Sequence, residues 1–383
     1  MELSRWRLSV SYFTAASSFL VLLLGIASIK ETYSLSSPIF LLRNAASTPS
    51  RQFSSALKSS SNNGGNDPPP VFPMSTRTAL VEKAKHLDEE GLQDGLGSYS
   101  SRGWSNRLGI VLTPASIPGV YTGDRPFMWN DIDVSCRMVV IQLEDGNLWV
   151  HSPVGLDAPL KKALDKLGTV KYVISPNYEH LSFATQWARE YPDAYMWGCP
   201  GLAERMPSIS WEGEIPEGIR PNLWKGSDSD AAHSDLKNCW DLEEIQPLHL
   251  NVEVNPATGK PFFNEVIFYH KPSKTLIVTD LFWNYPQPDG IPNSHLEDIP
   301  IKDWELAPSL ESIPIMSRVF FFGMNRLYLP IYKKVMVSKA RSEYEKIVRF
   351  LTEELEIETL IPAHGDLLRG QKVIRKVLRK HLL

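Results

Sequence analysis

The feature that most constrains the fold is the order of the short apolar runs. Runs rich in β-branched and aromatic residues occur in two groups, each followed by amphipathic helical patterns. The predicted strands are 108–112, 136–143, 147–150 and 170–175 in the first group, and 245–254, 262–270, 275–280 and 359–361 in the second. The predicted helices are 157–167, 181–190, 338–355 and 370–382. This order predicts an α/β (α+β) protein in which two mixed sheets pack together with helices outside, a four-layer αββα sandwich.

Local signals support several of these elements. Asp145 and Gly146 separate two apolar runs, and Asp-Gly between such runs predicts a β-hairpin. Asp157 precedes a helical pattern as an N-cap, and Gly168 ends it. Residues 271–274 predict the turn of a second hairpin, between the runs 262–270 and 275–280.

The first 73 residues have the composition of a targeting leader. Arg5 and Arg7 precede an uncharged stretch from Leu8 to Ile29, which predicts a signal peptide over 1–30. Residues 31–73 are rich in Ser and poor in acid, which is typical of a transit peptide. Together they resemble the bipartite leaders of plastid proteins in algae whose plastid lies inside the endomembrane system. A secreted protein or an N-terminal membrane anchor are the alternatives.

The remainder divides into an N-terminal extension, 74–107, and one domain, 108–383. The leader carries six Lys/Arg against three Asp/Glu, so the other 310 residues are acidic, with 34 against 41. An acidic body argues against nucleic acid as a partner, because phosphate binding needs a clustered basic surface. The three cysteines are far apart in sequence, which predicts neither a disulfide framework nor a zinc knuckle.

Chemistry-bearing side chains follow three predicted strands. His180 begins a helix after the strand 170–175, Asp280 ends the strand 275–280, and His364 follows the strand 359–361 in Pro-Ala-His-Gly. The ends of strands and the loops after them are where α/β proteins place functional groups. Each residue alone also fits a cap or a polar loop position.

Their joint order resembles the metallo-β-lactamase superfamily over about residues 108–383. The superfamily's first motif, His-x-His-x-Asp-His, aligns with Ser175 to His180, its bridging Asp with Asp280, and its last His with His364. The segments 149–153, 176–180, 191–194, 265–268 and 276–280 resemble a plant and algal domain-of-unknown-function branch, DUF4336-like. The resemblance implies the αββα fold and a metal-dependent hydrolytic ancestry.

The metal motif is degenerate. Ser175 and Asn177 stand where the superfamily has its first two histidines, and Glu179 stands where it has Asp. The superfamily's middle His is also missing, although Glu265 lies in that stretch as a possible carboxylate ligand. Neither Ser nor Asn is a good ligand for zinc, so a site for two ions is not expected.

Two functional hypotheses stay open. In the first, one divalent ion (Zn, Fe or Mn) is held by His180, Asp280 and His364, with Glu265 as a further ligand. Three protein ligands leave a position open for water, and Glu179 would accept a proton during hydrolysis of a small ester, thioester or phosphoester. In the second, no metal binds, and the protein is a non-catalytic binding or assembly protein.

The apolar stretch 316–337 adds one expectation. We expect it to cover the site rather than contact a membrane, with Pro330 breaking any continuous helix. We expect no stable membrane span in the mature chain. The sequence indicates neither a particular substrate nor an oligomeric state.

Overall fold

A computed structural model of the chain describes residues 111–129, 132–221, 236, 238–256, 258–285 and 313–383. The predicted signal peptide (1–30), transit-peptide-like segment (31–73) and N-terminal extension (74–107) lie outside these residues.

The first half of the described chain forms one mixed sheet. Seven strands in the described residues are ordered β1-β2-β5-β6-β7-β8-β9. Their pairing is antiparallel from β1 to β6 and parallel from β6 to β9. The strands are β1 (Thr113–Ile117), β2 (Val120–Arg125), β5 (Cys136–Gln142), β6 (Leu148–His151), β7 (Val170–Ser175), β8 (Tyr195–Gly198) and β9 (Gly213–Glu214). A separate short hairpin pairs β3 (Met128–Trp129) with β4 (Ile132–Asp133).

The second half forms another mixed sheet. Its five strands in the described residues are ordered β10-β11-β12-β13-β14. They are β10 (Ile245–His249), β11 (Val266–His270), β12 (Thr275–Val278), β13 (Thr359–Pro362) and β14 (Leu368–Arg369). The β12 and β13 strands are parallel neighbours, so their carboxyl ends lie at the same edge of the sheet.

The longer helices lie on the outer faces of the sheets, whereas the short helix Leu202–Arg205 buries Leu202 in the core between them. The helices are α1 (Ala158–Leu167), α2 (Ala184–Glu190), α3 (Leu202–Arg205), α4 (Ile315–Gly323), α5 (Leu329–Ile331), α6 (Arg341–Arg349) and α7 (Gln371–Leu382). The expected caps of α1 are confirmed: Asp157 accepts the amide N–H of Leu160 at 2.9 Å, and Gly168 follows the last turn.

Three apolar cores separate these layers. The core between the sheets contains Trp149 and Trp197 from the first sheet and Phe268 from the second. A second core packs the other face of the first sheet against α1 and α2, and a third packs the second sheet against α4 to α7. Burying each large side chain stabilises the fold by about 2 kcal/mol. The layer order is therefore helix, sheet, sheet, helix, and the predicted four-layer αββα sandwich is confirmed.

The segment from α4 to α6 contradicts the prediction that Pro330 breaks the helix. Helical structure runs from Ile315 to Met336, with π-helical turns at Met324–Tyr328 and Tyr332–Met336 on either side of α5. Pro330 has no backbone N–H and therefore leaves one helical hydrogen bond unmade. The π-helical turns on either side of α5 change the hydrogen-bond pattern around this position. Phe320, Met324 and Tyr328 of this segment line the pocket described below, and the expectation that the segment covers the site stays a prediction.

Other strand boundaries differ from the expectations. The structure describes Val111 and Leu112 of the predicted strand 108–112, and neither residue is in a strand, so the prediction is wrong at these two residues. The first strand begins at Thr113 instead. The β2 and β8 strands were not predicted, because Thr, Gly and Asp interrupt β2 and β8 has only four residues. The helix predicted from residue 181 begins at Ala184, after a turn. Within the described residues, no helix is both long enough and apolar enough to cross a membrane.

Candidate metal centre

Three strand ends bring the predicted metal ligands together. His180 lies in the turn after β7, Asp280 lies two residues after β12, and His364 lies two residues after β13. Backbone hydrogen bonds join the loop after β7 to the second sheet, from Tyr178 N to Phe263 O (2.9 Å) and from Val266 N to Pro176 O (2.8 Å). The loops of the two sheets therefore meet at one edge of the sandwich.

The two imidazoles face the two oxygens of one carboxylate. His180 Nε2 lies 3.4 Å from Asp280 Oδ2, and His364 Nε2 lies 3.5 Å from Asp280 Oδ1. One potential ligand atom from each of the three residues lies within 4.8 Å of the others. All three side chains are at most 10% exposed. Two imidazole nitrogens and a carboxylate are donors that Zn, Fe and Mn accept, so these residues form a possible metal site.

The Nδ1 atom of each histidine, which points away from Asp280, has its own hydrogen-bond partner. His364 Nδ1 lies 2.8 Å from the carbonyl oxygen of Ser135, to which it can only donate. His180 Nδ1 lies 2.7 Å from Ser152 Oγ, and Cys136 Sγ is 3.7 Å from the same nitrogen. A proton held on Nδ1 leaves the Nε2 lone pair directed at the cluster, which is how proteins orient histidine ligands. Ser152 and Cys136 were not predicted as site residues. Their signal in the sequence is a polar residue at the start of a buried strand, as for Cys136, or just past its end, as for Ser152.

Glu265 supports the Asp280 strand end. Its carboxylate accepts the backbone N–H groups of Thr279 (2.6 Å), Asp280 (2.9 Å) and Leu281 (2.7 Å). Burial, together with the nearby negative charge of Asp280, raises the pKa of Glu265 to about 7. Both of its oxygens are engaged by the main chain, so the structure gives Glu265 a positioning role. Its predicted role as a ligand stays a prediction.

Asn177 links the strand ends of the two sheets. Its Nδ2 donates to Asp280 Oδ2 (2.6 Å) and Thr279 Oγ1 (2.9 Å), and its Oδ1 accepts the backbone N–H groups of Glu179 and His180. Asn177 therefore turns an amide donor, rather than a metal ligand, towards Asp280. Ser175, at the other departed position, is fully buried. With Ser175 and Asn177 not acting as ligands, His180, Asp280 and His364 are the three expected ligands that lie together.

The charges of the cluster are mutually dependent. Burial by itself would lower the pKa of His180, but the Asp280 carboxylate outweighs burial and holds this pKa well above its ordinary value. Burial would raise the pKa of Asp280, and the neighbouring His180 and His364 hold it far below its ordinary value. His180 and Asp280 therefore each favour the charged form of the other. A cation that binds Nε2 of His180 would compete with a proton for that nitrogen.

The loop that carries His364 is held by a buried arginine. Arg137 donates to the carbonyl oxygens of Pro362 (3.0 Å) and Gly365 (2.6 Å), and it pairs with Asp124 at 2.8 Å. Gly365 has a φ of +83°, and a Cβ atom there would lie 2.1 Å from the carbonyl oxygen of Asn284. This close approach of two backbones requires glycine.

A pocket of about 800 Å³, including its solvent-filled mouth, opens onto the cluster. Its polar lining consists of His180, Asp280, His364 and Glu179, so the predicted proton acceptor lies in the same pocket as the three candidate ligands. Most of the remaining wall is aromatic, including Trp129, Phe262, Trp283, Tyr285, Phe320 and Tyr328. The arrangement can hold a small molecule against a metal-binding group.

A protein-family model matches part of the chain. Residues 119–295 match the family model described as "Domain of unknown function (DUF4336)". No curated protein matches the sequence.

Solved structures similar to the chain include several metallo-β-lactamases. The DIM-1 enzyme is 10% identical, with a TM-score of 0.40 over 70% of this chain and 95% of that chain. The enzyme from Hirschia baltica is 8% identical, with a TM-score of 0.39 over 69% of this chain and 94% of that chain. The rubredoxin oxygen:oxidoreductase of Desulfovibrio gigas is 13% identical, with a TM-score of 0.43 over 71% of this chain and 60% of that chain. Residues 119–295 of the chain thus match the DUF4336 family model, and the chain's own sheets and helices form the αββα layers described above.

Proposed function

We propose that the protein is a single-metal hydrolase of a small ester, thioester or phosphoester. The observation that carries the proposal is the convergence of His180, Asp280 and His364 on one point, with potential ligand atoms within 4.8 Å of each other, at the wall of a pocket. The buried donor set fits a divalent ion, and the partners of both Nδ1 atoms direct the Nε2 atoms towards it. Within the described residues, one group of three potential ligands is found, and it fits one ion.

A divalent ion in this site would supply Lewis acidity towards a carbonyl or phosphoryl oxygen. The residues of the chain would do the remainder. Glu179 lines the pocket beside the cluster, where its carboxylate can accept a proton from the attacking water. Ser152, Asn177 and Glu265 would hold the candidate ligands in place, since each contacts His180, Asp280 or their backbone. The aromatic wall would exclude bulk water from the reacting group.

The proposal is tested by the metal content of the purified protein. Elemental analysis after dialysis should find about one equivalent of Zn, Fe or Mn per chain. The double variant His180→Ala/His364→Ala should retain less than about a tenth of an equivalent, because two of three ligands are gone. His270→Gln is the control, since His270 lies in a hairpin and its Nδ1 bonds to Ser273 Oγ (2.6 Å). Equal metal content in the parent protein and the double variant would contradict the proposal.

A second candidate is a metal-free binding protein on the same fold. It is favoured by the hydrogen bond from Asn177 to Asp280, which occupies a carboxylate oxygen that a metal would otherwise take. In this case His180, Asp280 and His364 would form a buried ion-pair network that shapes the pocket. A folded protein that takes up no Zn, Fe or Mn during dialysis against these ions would support this candidate over the first.

We also propose that residues 1–73 direct the protein to a plastid. The support is the order of the uncharged stretch and the Ser-rich, acid-poor segment. Residues 1–73 fused to a fluorescent protein should reach the plastid in an alga whose plastid lies within the endomembrane system. Fluorescence that stays in the secretory pathway or in a membrane would favour the secreted or anchored alternative.

A further inference from the structure

The outer side of α4 carries large apolar side chains that the fold leaves exposed. Ile315 is 67% exposed, Met316 53% and Phe322 51%. Ile315 and Phe322 are seven residues apart, which is about two helical turns, so they lie on the same face of α4. The inner side of the helix is buried at Phe320 and Phe321. Packing in the core therefore accounts for the inner apolar side of α4 and leaves the outer apolar side in contact with solvent.

Exposed apolar side chains of this size are concentrated in this part of the described chain. Six large apolar side chains of the described residues are at least 44% exposed, and four of them lie within 315–335, namely Ile315, Met316, Phe322 and Val335. Single exposed apolar residues are ordinary, whereas several close together on one element mark an interaction surface.

The charges of the same segment are all positive. Residues 312–342 contain six Lys or Arg and no Asp or Glu. Arg326, Lys334 and Lys339 are exposed, and within the described residues none of them forms an ion pair. Since the 310 residues after the leader are acidic overall, with 34 Lys/Arg against 41 Asp/Glu, this basic stretch is a local feature of the surface.

The C-terminal helix α7 extends this positive charge. Lys333 Nζ donates to the backbone carbonyl oxygen of Lys380 at 3.2 Å, so the end of α7 lies against the segment 315–341. Residues 367–383 also contain six Lys or Arg and no Asp or Glu, and Lys376 and Lys380 are exposed. Basic side chains clustered in this way create a positive potential that attracts an anionic partner. The exposed side chains of 315–341, with Lys376 and Lys380, are called the basic apolar surface below.

An anionic lipid bilayer fits the basic apolar surface better than two other partners do. A second copy of the chain would bring like charges together across a symmetric contact, which is unfavourable. A nucleic acid would pair with the Lys and Arg side chains, but it would give Ile315 and Phe322 no apolar environment. Lipid phosphates with acyl chains beneath them provide both kinds of contact.

We propose that the basic apolar surface binds the protein to the surface of an anionic lipid bilayer. The exposed apolar side chains would enter the boundary between headgroups and acyl chains, while Lys334 and Lys339 would contact lipid phosphates. The sequence alone favoured a cover over the site rather than a membrane contact. Phe320, Met324 and Tyr328 line the pocket from the inner side of the same segment, so its outer side can contact a membrane at the same time. This inference goes beyond the proposed function and does not depend on a metal ion.

A pair of charge variants tests the basic part of the surface. Binding of the full chain to vesicles of phosphatidylcholine with about 30% phosphatidylserine is measured by cosedimentation. Lys334→Glu/Lys339→Glu should weaken this binding at least about tenfold, because two cations near the bilayer become anions. Lys162→Glu/Arg189→Glu is the matched control, since it makes the same change of charge at exposed positions of α1 and α2, in the opposite outer layer.

The control variant should bind the vesicles as the parent chain does. Every chain compared carries the same leader, so any attraction of the leader to lipid is common to all of them. Equal losses of binding in the two charge variants would overturn the inference, and so would a Lys334→Glu/Lys339→Glu variant that binds like the parent.

A third variant tests the apolar part of the surface. Ile315→Ser/Phe322→Ser should also weaken binding to these vesicles at least about tenfold, because two side chains that enter the bilayer are lost. Its thermal unfolding midpoint should stay near that of the parent, since both side chains are exposed. Unchanged vesicle binding would mean attraction by charge alone, as a nucleic acid or an acidic protein would show, and would overturn the inference. A parent dimer that this variant separates into monomers would place a second copy on the surface, with the same consequence.

Discussion

At the scale of single residues, Ser152 is the most informative contact of the cluster. Its hydroxyl lies 2.7 Å from Nδ1 of His180, although it contacts no other candidate ligand in the described hydrogen bonds. Ser152→Ala should weaken Zn²⁺ binding about 10- to 100-fold, because the imidazole loses the partner that orients it. Competition with a chromophoric chelator measures this affinity. Ser152→Thr keeps the hydroxyl, so its Zn²⁺ affinity should lie between that of Ser152→Ala and that of the parent. If Ser152 had a purely structural role, Ser152→Ala would lower thermal stability and leave Zn²⁺ affinity unchanged.

Another residue-scale prediction concerns Glu253, which is buried outside the cluster. Its Oε1 accepts the backbone N–H groups of Phe263 (2.6 Å) and Asn264 (3.0 Å). Burial raises the pKa of Glu253 from 4.5 to about 8, against the effect of these hydrogen bonds. Between these two values the folded state keeps a proton that the unfolded state has lost, so stability falls as pH rises from about 4.5 to about 8.

Glu253→Gln should remove that pH dependence. The amide oxygen can accept the same two N–H groups, and the side chain carries no charge at any pH. Urea denaturation should find the variant more stable than the parent by on the order of a few kcal/mol at pH 8.5, and similar to it near pH 4.5. A variant less stable than the parent at pH 8.5 would mean that the carboxylate itself stabilises the fold.

At the scale of elements, the loop after β13 depends on Gly365. Gly365 and Gly146 share a φ of +83°, but a Cβ atom at Gly365 meets the backbone of Asn284 whereas one at Gly146 meets nothing within 4 Å. Gly146→Ala should therefore lower the free energy of unfolding by only about 1 kcal/mol, from backbone strain alone. Gly365→Ala adds a steric clash, and it should cost several kcal/mol and reduce metal content. Equal losses in urea denaturation would contradict the close approach.

At the scale of the whole molecule, the layered architecture could be predicted from sequence because periodicity and turn residues report on burial. The hairpin at Asp145 and Gly146 and the cap at Asp157 depend on neighbouring residues, and both are confirmed. The β8 strand escaped prediction because it has only four residues, and its pairing with β7 is not visible in so short a run. The continuation of the helix through Pro330 also depends on packing, which overrides local propensity.

The candidate site was partly predictable for the same reason. The positions of His180, Asp280 and His364 at strand ends are visible in the sequence, and the structure brings the three together. The supporting contacts were not predictable, because Ser152, Asn177 and Glu265 act through contacts up to 103 residues apart in sequence. The aromatic wall likewise combines residues from 127–134, 262–285 and 320–328.

The central claim is that one metal ion binds between His180, Asp280 and His364. Its most direct measurement is an anomalous difference map at the zinc absorption edge, from crystals of the protein grown with Zn²⁺. We expect one strong peak about 2.0–2.2 Å from Nε2 of both histidines and from an oxygen of Asp280. A map without a peak at this cluster, while the three side chains keep their contacts of 3.4 and 3.5 Å, would contradict it.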